Sequence, residues 1–167
     1  PGTWRPRGSD PGAGYQELLS QVRSAKPTTM MVGYGAEAAY LESEAEMKEF
    51  QIGYRRLLDD LETTGANLIL LTPVPQSEMH PAPPAVARRN VRLRQAARFI
   101  REQGLKRRHE VIDLQGVGGE EADNYRVAID LTEKGYRDLS SMIAHDLDLN
   151  GQMEITCHED GGGLVRF

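Results

Sequence analysis

The chain has 167 residues, 39% hydrophobic and 27% charged, with a formal net charge of −5. That balance matches ordinary soluble globular domains and excludes a disordered chain, and no apolar run nears the roughly 20 residues that a membrane span needs. Cys157 is the only cysteine, so an internal disulfide is excluded as well.

Residues 1–14 carry four Gly and three Pro and read as a loop or linker. Pro1 opens the sequence without a signal-peptide pattern after it, and we expect further sequence upstream. Residues 15–25 set Tyr15, Leu18, Leu19 and Val22 at helical spacing, and Lys26-Pro27 stops that helix. Residues 28–32 (TTMMV) predict a buried strand running into a tight Gly33-Tyr34-Gly35 turn. Glu42, Glu44, Glu46 and Glu49 crowd the start of the next helix, where the dipole tolerates them. Its apolar face is Met47, Phe50, Tyr54, Leu57, Leu58 and Leu61, and Gly65 ends it.

Residues 67–71 (NLILL) follow as a second buried strand, then 72–84 form a loop with five prolines. Periodicity returns over 85–103 (Val86, Val91, Leu93, Ala97, Ile100), with Gly104 as the stop. Residues 110–114 (EVIDL) predict a third strand, and 115–127 a loop. Thr132 is a plausible N-cap for a helix over 132–147 with Tyr136, Leu139, Ile143 and Leu147 on its apolar face. Residues 153–167 predict a hairpin turned at Asp160-Gly161-Gly162. No internal repeat is present.

Strands alternating with helices predict a parallel sheet covered on both faces, because parallel neighbours need crossovers. Ligands bind such sheets beyond the carboxyl ends of the strands, which directs attention to loops 33–40, 72–84 and 115–130.

The residues in those loops form no complete catalytic set. A serine nucleophile needs a sharp strand-to-helix turn, and none of the seven serines has one; Ser9 follows TWRPR, which is not a strand. Cys157 beside His158 has no second partner at dyad or metal spacing. His80, His109, His145 and His158 are scattered without H-x-x-H spacing, so neither metal nor cofactor is expected. Gly116-Val117-Gly118-Gly119 precedes no clear helix and reads as a loop rather than a phosphate cradle. Nine Arg or Lys between 85 and 110 face only Glu102 and Glu110. Without interleaved aromatics we read that patch as a solvated helix face, and expect neither a nucleic-acid nor a membrane partner.

Three segments in order, KPTTMMVGYGAEAAY, NLILLTPVP and IDLTEKGYRDLSSMIAHDL, resemble the SGNH, or GDSL-type, hydrolases as they occur in bacterial proteins. The first is similar to the family's K-P-T strand and G-x-N-[DE] turn, the second to its next strand and Pro-rich loop. The third is similar to its D-x-x-H-L-T-x-x-G-Y block, and Asn90 falls where such proteins often have an Asn early in the intervening helix. The resemblance implies a three-layer α/β/α sandwich with a flavodoxin-like parallel sheet, lacking its first strand here, and the hairpin as a C-terminal extension. The implied division is a linker over 1–14, a partial SGNH-like domain over 15–149 and the hairpin over 150–167.

Members of that family are serine esterases, lipases or carbohydrate deacetylases, with a Ser on the first strand, an Asp-His pair late in the chain, and Gly and Asn as oxyanion donors. Here the nucleophile strand is expected upstream of Pro1. Gly35 matches the motif Gly, and Glu37 stands at the Asn position; a carboxylate has no proton to donate and repels an oxyanion. Asp130 stands at the His position and Val127 at the Asp position; Asp123-Asn124 supply an acid only if an insertion intervenes. Ala36 and Pro73 are the accompanying pocket candidates.

These departures predict a degenerate SGNH domain, a binding or scaffold module of a larger protein taking a small ester or carbohydrate ligand. Glu37 and Asp130 are then either plain loop residues or the lining of a relict pocket that favours cations or polyols. The alternatives are an active esterase or deacetylase with its serine upstream, and an unrelated α/β binding domain.

Overall fold

The computed structural model describes residues 12–76, 84–117, 125–127, 130–148, 154–157 and 163–166. Helix α1 (Ala13–Ala25) ends where Lys26 turns left-handed, φ 48°, and donates its N–H to the Val22 carbonyl. Pro27 follows, as its lack of an N–H demands. Strand β1 (Thr29–Val32) leads through a 3₁₀ turn (Ala36–Tyr40) to helix α2 (Glu44–Glu62). The acidic run before α2 contains a specific device. Ser43 Oγ accepts the Glu46 N–H at 3.2 Å, while Glu46 Oε2 accepts the N–H groups of Ser43 at 3.1 Å and Glu42 at 2.6 Å. This is a capping box, and those backbone donors hold the Glu46 carboxyl below its usual range. Gly65, at φ 75°, turns the chain into β2 (Asn67–Leu71).

Helix α3 (Pro84–Arg107) and strand β3 (Glu110–Ile112) follow. The three strands lie in sequential order and all parallel, with Met31 opposite Ile69 and Leu71 opposite Ile112. Strand alternation then divides the core. Leu68 and Leu70 join Phe50, Leu58 and Ile100 from α2 and α3, whereas Ile69 joins Ile112, Leu139 and Ile143 on the other face. The latter two belong to helix α4 (Glu133–Asp146). Helices cover both faces, which is the expected α/β/α sandwich. Leu58, Leu70, Ile100 and Ile112 have no exposed surface, and each such burial contributes roughly 1.5–3 kcal/mol. The rings of Phe50, Tyr54 and Phe99 close the α2–α3 seam, with centroids 5.8–6.3 Å apart.

The chain departs from its predicted elements in five places. Strand β1, expected to be buried, is buried only at Val32 and leaves Met31 50% exposed, because it lies at the edge of the described parallel sheet. Gly104 does not stop α3, which runs a turn further until Arg108 turns left-handed, φ 61°. A Cβ at Gly104 would lie 2.1 Å from Val111 Cγ2, so the glycine serves the close approach of α3 to β3. Val91 and Tyr136, assigned to apolar faces by periodicity, are 47% and 59% exposed. The 115–127 loop contains strand β4 (Tyr125–Val127), antiparallel to β5 (Asp130–Leu131). The arginine stretch is only partly a solvated face. Arg107 reaches Asp59 at 2.7 Å and Glu62 at 3.0 Å, Arg101 reaches Asp113 at 2.8 Å, and Arg92 bonds Glu44 and the Leu41 carbonyl.

Thr132 caps α4 as predicted, accepting the Gly135 N–H at 3.2 Å. Strands β6 (Glu154–Cys157) and β7 (Gly163–Arg166) pair antiparallel, giving the expected hairpin. Its turn, Ser9, His80, His158, Gly118-Gly119 and Asp123-Asn124 lie outside the described residues.

Candidate functional site

A cleft of about 510 Å³ opens at the carboxyl ends of the parallel strands. Its first wall is the loop after β1, through Gly33, Ala36, Glu37 and Tyr40. Leu71 to Gln76, following β2, form its floor, and Leu131 and Tyr136 its far wall. Two of the three loops singled out from sequence line it directly, and the third enters through its flanking residues Leu114 and Leu131.

Gly35 is where backbone geometry decides the residue. Its φ is 142°, a region closed to side chains, and a Cβ would press on Ile100 Cδ1 at 3.2 Å and Pro73 Cδ at 3.5 Å. The Gly35 N–H donates to Glu37 Oε2 at 3.2 Å, two residues on. That carboxylate is half-buried. Beneath it the Tyr54 hydroxyl is buried without a hydrogen-bond partner among the described residues. Burial, and then the charge of Glu37, push the Tyr54 phenol above its ordinary range.

The floor is held by two buried polar devices. Asn90, 2% exposed on α3, accepts the Gln76 N–H through Oδ1 and donates from Nδ2 to the Gln76 carbonyl, both at 2.8 Å. Thr72, 1% exposed, donates to Asp113 Oδ1 and accepts the Leu114 N–H, also both at 2.8 Å. The floor is therefore pinned to α3 and to the β3 end. Gln76 Oε1, by contrast, is buried with no hydrogen-bond partner among the described residues.

The structure brings Gly35, Ala36, Glu37 and Pro73 together where the first wall meets the floor. Val127 and Asp130 pair with each other in the β4–β5 ribbon, and Asp130 directly precedes Leu131 of the lining. Sequence reasoning missed Tyr40, Gln76 and Tyr136. The available signal was position: each follows the end of a strand, where a ligand sits, and Tyr136 had been assigned to a buried stripe instead. No serine, histidine or cysteine lines the cleft among the described residues. Among them, too, no group of three or more His, Cys, Asp or Glu could hold a metal, and no helix is long and apolar enough to cross a membrane.

The architecture is an α/β/α fold like that of the SGNH hydrolases, with the cleft at the strand ends. Among solved structures, the chain is similar to a lipase/acylhydrolase from Enterococcus faecalis, with a TM-score of 0.63 and 20% identity over 81% of this chain and 69% of that one. It is similar to a catalytic mutant of an acetylxylan esterase from Geobacillus stearothermophilus, with a TM-score of 0.60 and 15% identity over 80% and 65%. A third is the acetyl xylan esterase AlAXEase, with a TM-score of 0.61 and 15% identity over 78% and 72%. No family model and no curated protein sequence matches the chain. At these identities the likeness carries the fold, and the chemistry has to be argued from the cleft.

Proposed function

We propose that this chain is a non-hydrolytic member of the SGNH-like fold, a binding module that holds a small ligand at the strand ends without cleaving it. The observation that carries the reading is the hydrogen bond from the Gly35 N–H to Glu37 Oε2 at 3.2 Å. By resemblance, that N–H and an Asn side chain at position 37 are the two donors that would stabilise a tetrahedral oxyanion. Here one donor is replaced by a carboxylate and the other is turned onto it. Losing a single oxyanion donor typically costs about 10²- to 10³-fold in rate. A carboxylate about 4 Å from a developing oxyanion adds repulsion on the order of 4 kcal/mol at an effective dielectric of 20.

Val127 and Asp130, at the positions of the family's Asp and His, support the same reading. A small ester or carbohydrate is the ligand class suggested by the resemblance, and the three solved structures are themselves an acylhydrolase and two acetylxylan esterases. That likeness favours the second reading, an active esterase whose nucleophile lies elsewhere in the protein.

One pair of measurements separates the two. The full-length protein is assayed with p-nitrophenyl acetate and incubated with a fluorophosphonate probe. The binding module gives background hydrolysis and no labelling. Saturable turnover, or stoichiometric labelling of a serine, establishes the esterase.

A further inference from the structure

We infer that the cleft accepts an organic cation carrying N–H donors, an alkylguanidinium or alkylammonium group on an apolar stem. The inference rests on the non-hydrolytic reading of the same cleft and names the chemistry of its ligand.

The first argument is the polarity of the lining. Glu37 contributes a carboxylate, and no Lys, Arg or His lines the cleft among the described residues. A ligand entering a half-open, largely apolar cleft beside a carboxylate is favoured if it brings the opposite charge.

The second is the balance of donors and acceptors. The Gly35 N–H is satisfied by Glu37, and the Thr72 hydroxyl both donates and accepts internally. Gln76, 7% exposed, keeps a buried Oε1 without a partner among the described residues. An unfilled buried acceptor is costly, and a ligand N–H removes that cost. The Glu37 carboxylate and the Gln76 Oε1 are thus acceptors that call for a donor-bearing cation.

The third argument is aromatic. Tyr40 and Tyr136 both line the cleft, and they are 52% and 59% exposed although tyrosine rings favour burial. Cations are attracted to ring faces, and in this chain the Arg89 guanidinium already lies 4.9 Å from the Tyr40 centroid. Arg89 itself is not part of the lining. Leu71, Leu93 and Leu131 provide the surface for an apolar stem.

The test is calorimetric titration of the full-length protein with four probes that share a five-carbon stem: n-pentylguanidinium, n-pentyltrimethylammonium, n-pentylurea and hexanoate. Pentylguanidinium should bind at least tenfold more tightly than pentylurea, which has the shape and N–H groups without the charge. Pentyltrimethylammonium, charged but lacking N–H, should fall between them, and hexanoate should not bind. Glu37→Gln should bring guanidinium and urea to within about twofold. Tyr136→Leu, at an exposed position that does not threaten folding, should weaken pentylguanidinium about threefold or more. The inference is overturned if urea binds as well as guanidinium, if hexanoate binds more tightly, or if no probe binds at 10 mM. Ester turnover with cation selectivity retained would end the non-hydrolytic reading alone, and silence in both would end the cation assignment alone.

Discussion

Replacing Asn90 by Leu tests whether the cleft floor is held as described. The side chain is 2% exposed and forms two hydrogen bonds of 2.8 Å with the backbone of Gln76, one in each direction. Leucine has the same γ-branched skeleton and is somewhat larger, so the variant deletes the bonds without opening a cavity, and any overpacking adds to the loss. It leaves the Gln76 N–H and carbonyl buried and unpaired, at about 1–3 kcal/mol each. Leucine is also the better helix former, which returns about 0.5 kcal/mol. Even at the low end, the net loss is on the order of 1.5 kcal/mol, which lowers Tm by roughly 3–6 °C for a chain of this size. Asn90→Asp should be worse, because it keeps the acceptor but sets carboxylate lone pairs against the Gln76 carbonyl. Val91→Ala, one residue on and 47% exposed, is the control and should shift Tm by less than 1 °C. Thermal melts followed by circular dichroism read all three. An Asn90→Leu protein melting within 1 °C of the parent would refute the pinning of the floor by this side chain.

Two further predictions concern the scaffold. Gly104→Ala drives a Cβ to 2.1 Å from Val111 Cγ2, and such overpacking costs about 1–3 kcal/mol; adding Val111→Ala removes the clashing methyl, so denaturant titrations should show the double variant more stable than the sum of the single losses predicts. Glu62 holds Arg107 at 3.0 Å and His109 Nε2 at 2.7 Å, and although burial pushes its carboxyl up, these hydrogen bonds outweigh it and hold it below its ordinary value. A lowered carboxyl stabilises the fold above its unfolded pKa and loses that contribution as pH falls through the folded one. The stability difference between parent and Glu62→Gln should therefore shrink as pH falls below about 4.3. Its size should stay under about 1 kcal/mol because the pair is part-exposed, and a difference that grows below that pH would contradict the assignment.

The layers of this fold were legible because burial dictates period. NLILL reads as a strand buried on both faces, and Leu68 and Leu70 do face one helical layer while Ile69 faces the other. Ser43 and Glu46 carry a capping box in plain sequence, yet the glutamates around them disguised it as a general acidic bias. Gly104 looked like a stop because glycine commonly ends helices; its packing role against Val111 depends on a strand seven residues away. Tyr136 sits at a spacing that fits an apolar stripe, and only tertiary placement shows that α4 turns this position toward the cleft and solvent. At the site, the substitution at Glu37 was visible in the motif, but its hydrogen bond to Gly35 was not, since it depends on a φ of 142°.

That hydrogen bond makes Glu37→Asn the most informative change in the cleft. The substitution restores an amide where the resemblance places one and removes the carboxylate that occupies the Gly35 N–H. If those two donors were the only deficit, their recovery would raise ester hydrolysis by at least about 10²-fold. Oxyanion donors act only after a nucleophile has attacked, however, and the described lining contains no serine, histidine or cysteine to begin that step. On the non-hydrolytic reading, p-nitrophenyl acetate turnover by Glu37→Asn therefore stays at the parent's background. The same variant loses its preference for pentylguanidinium over pentylurea, because the charge that set the preference is gone. A hundredfold rise in turnover would mean that the nucleophile is in place and that Glu37 is the element silencing it.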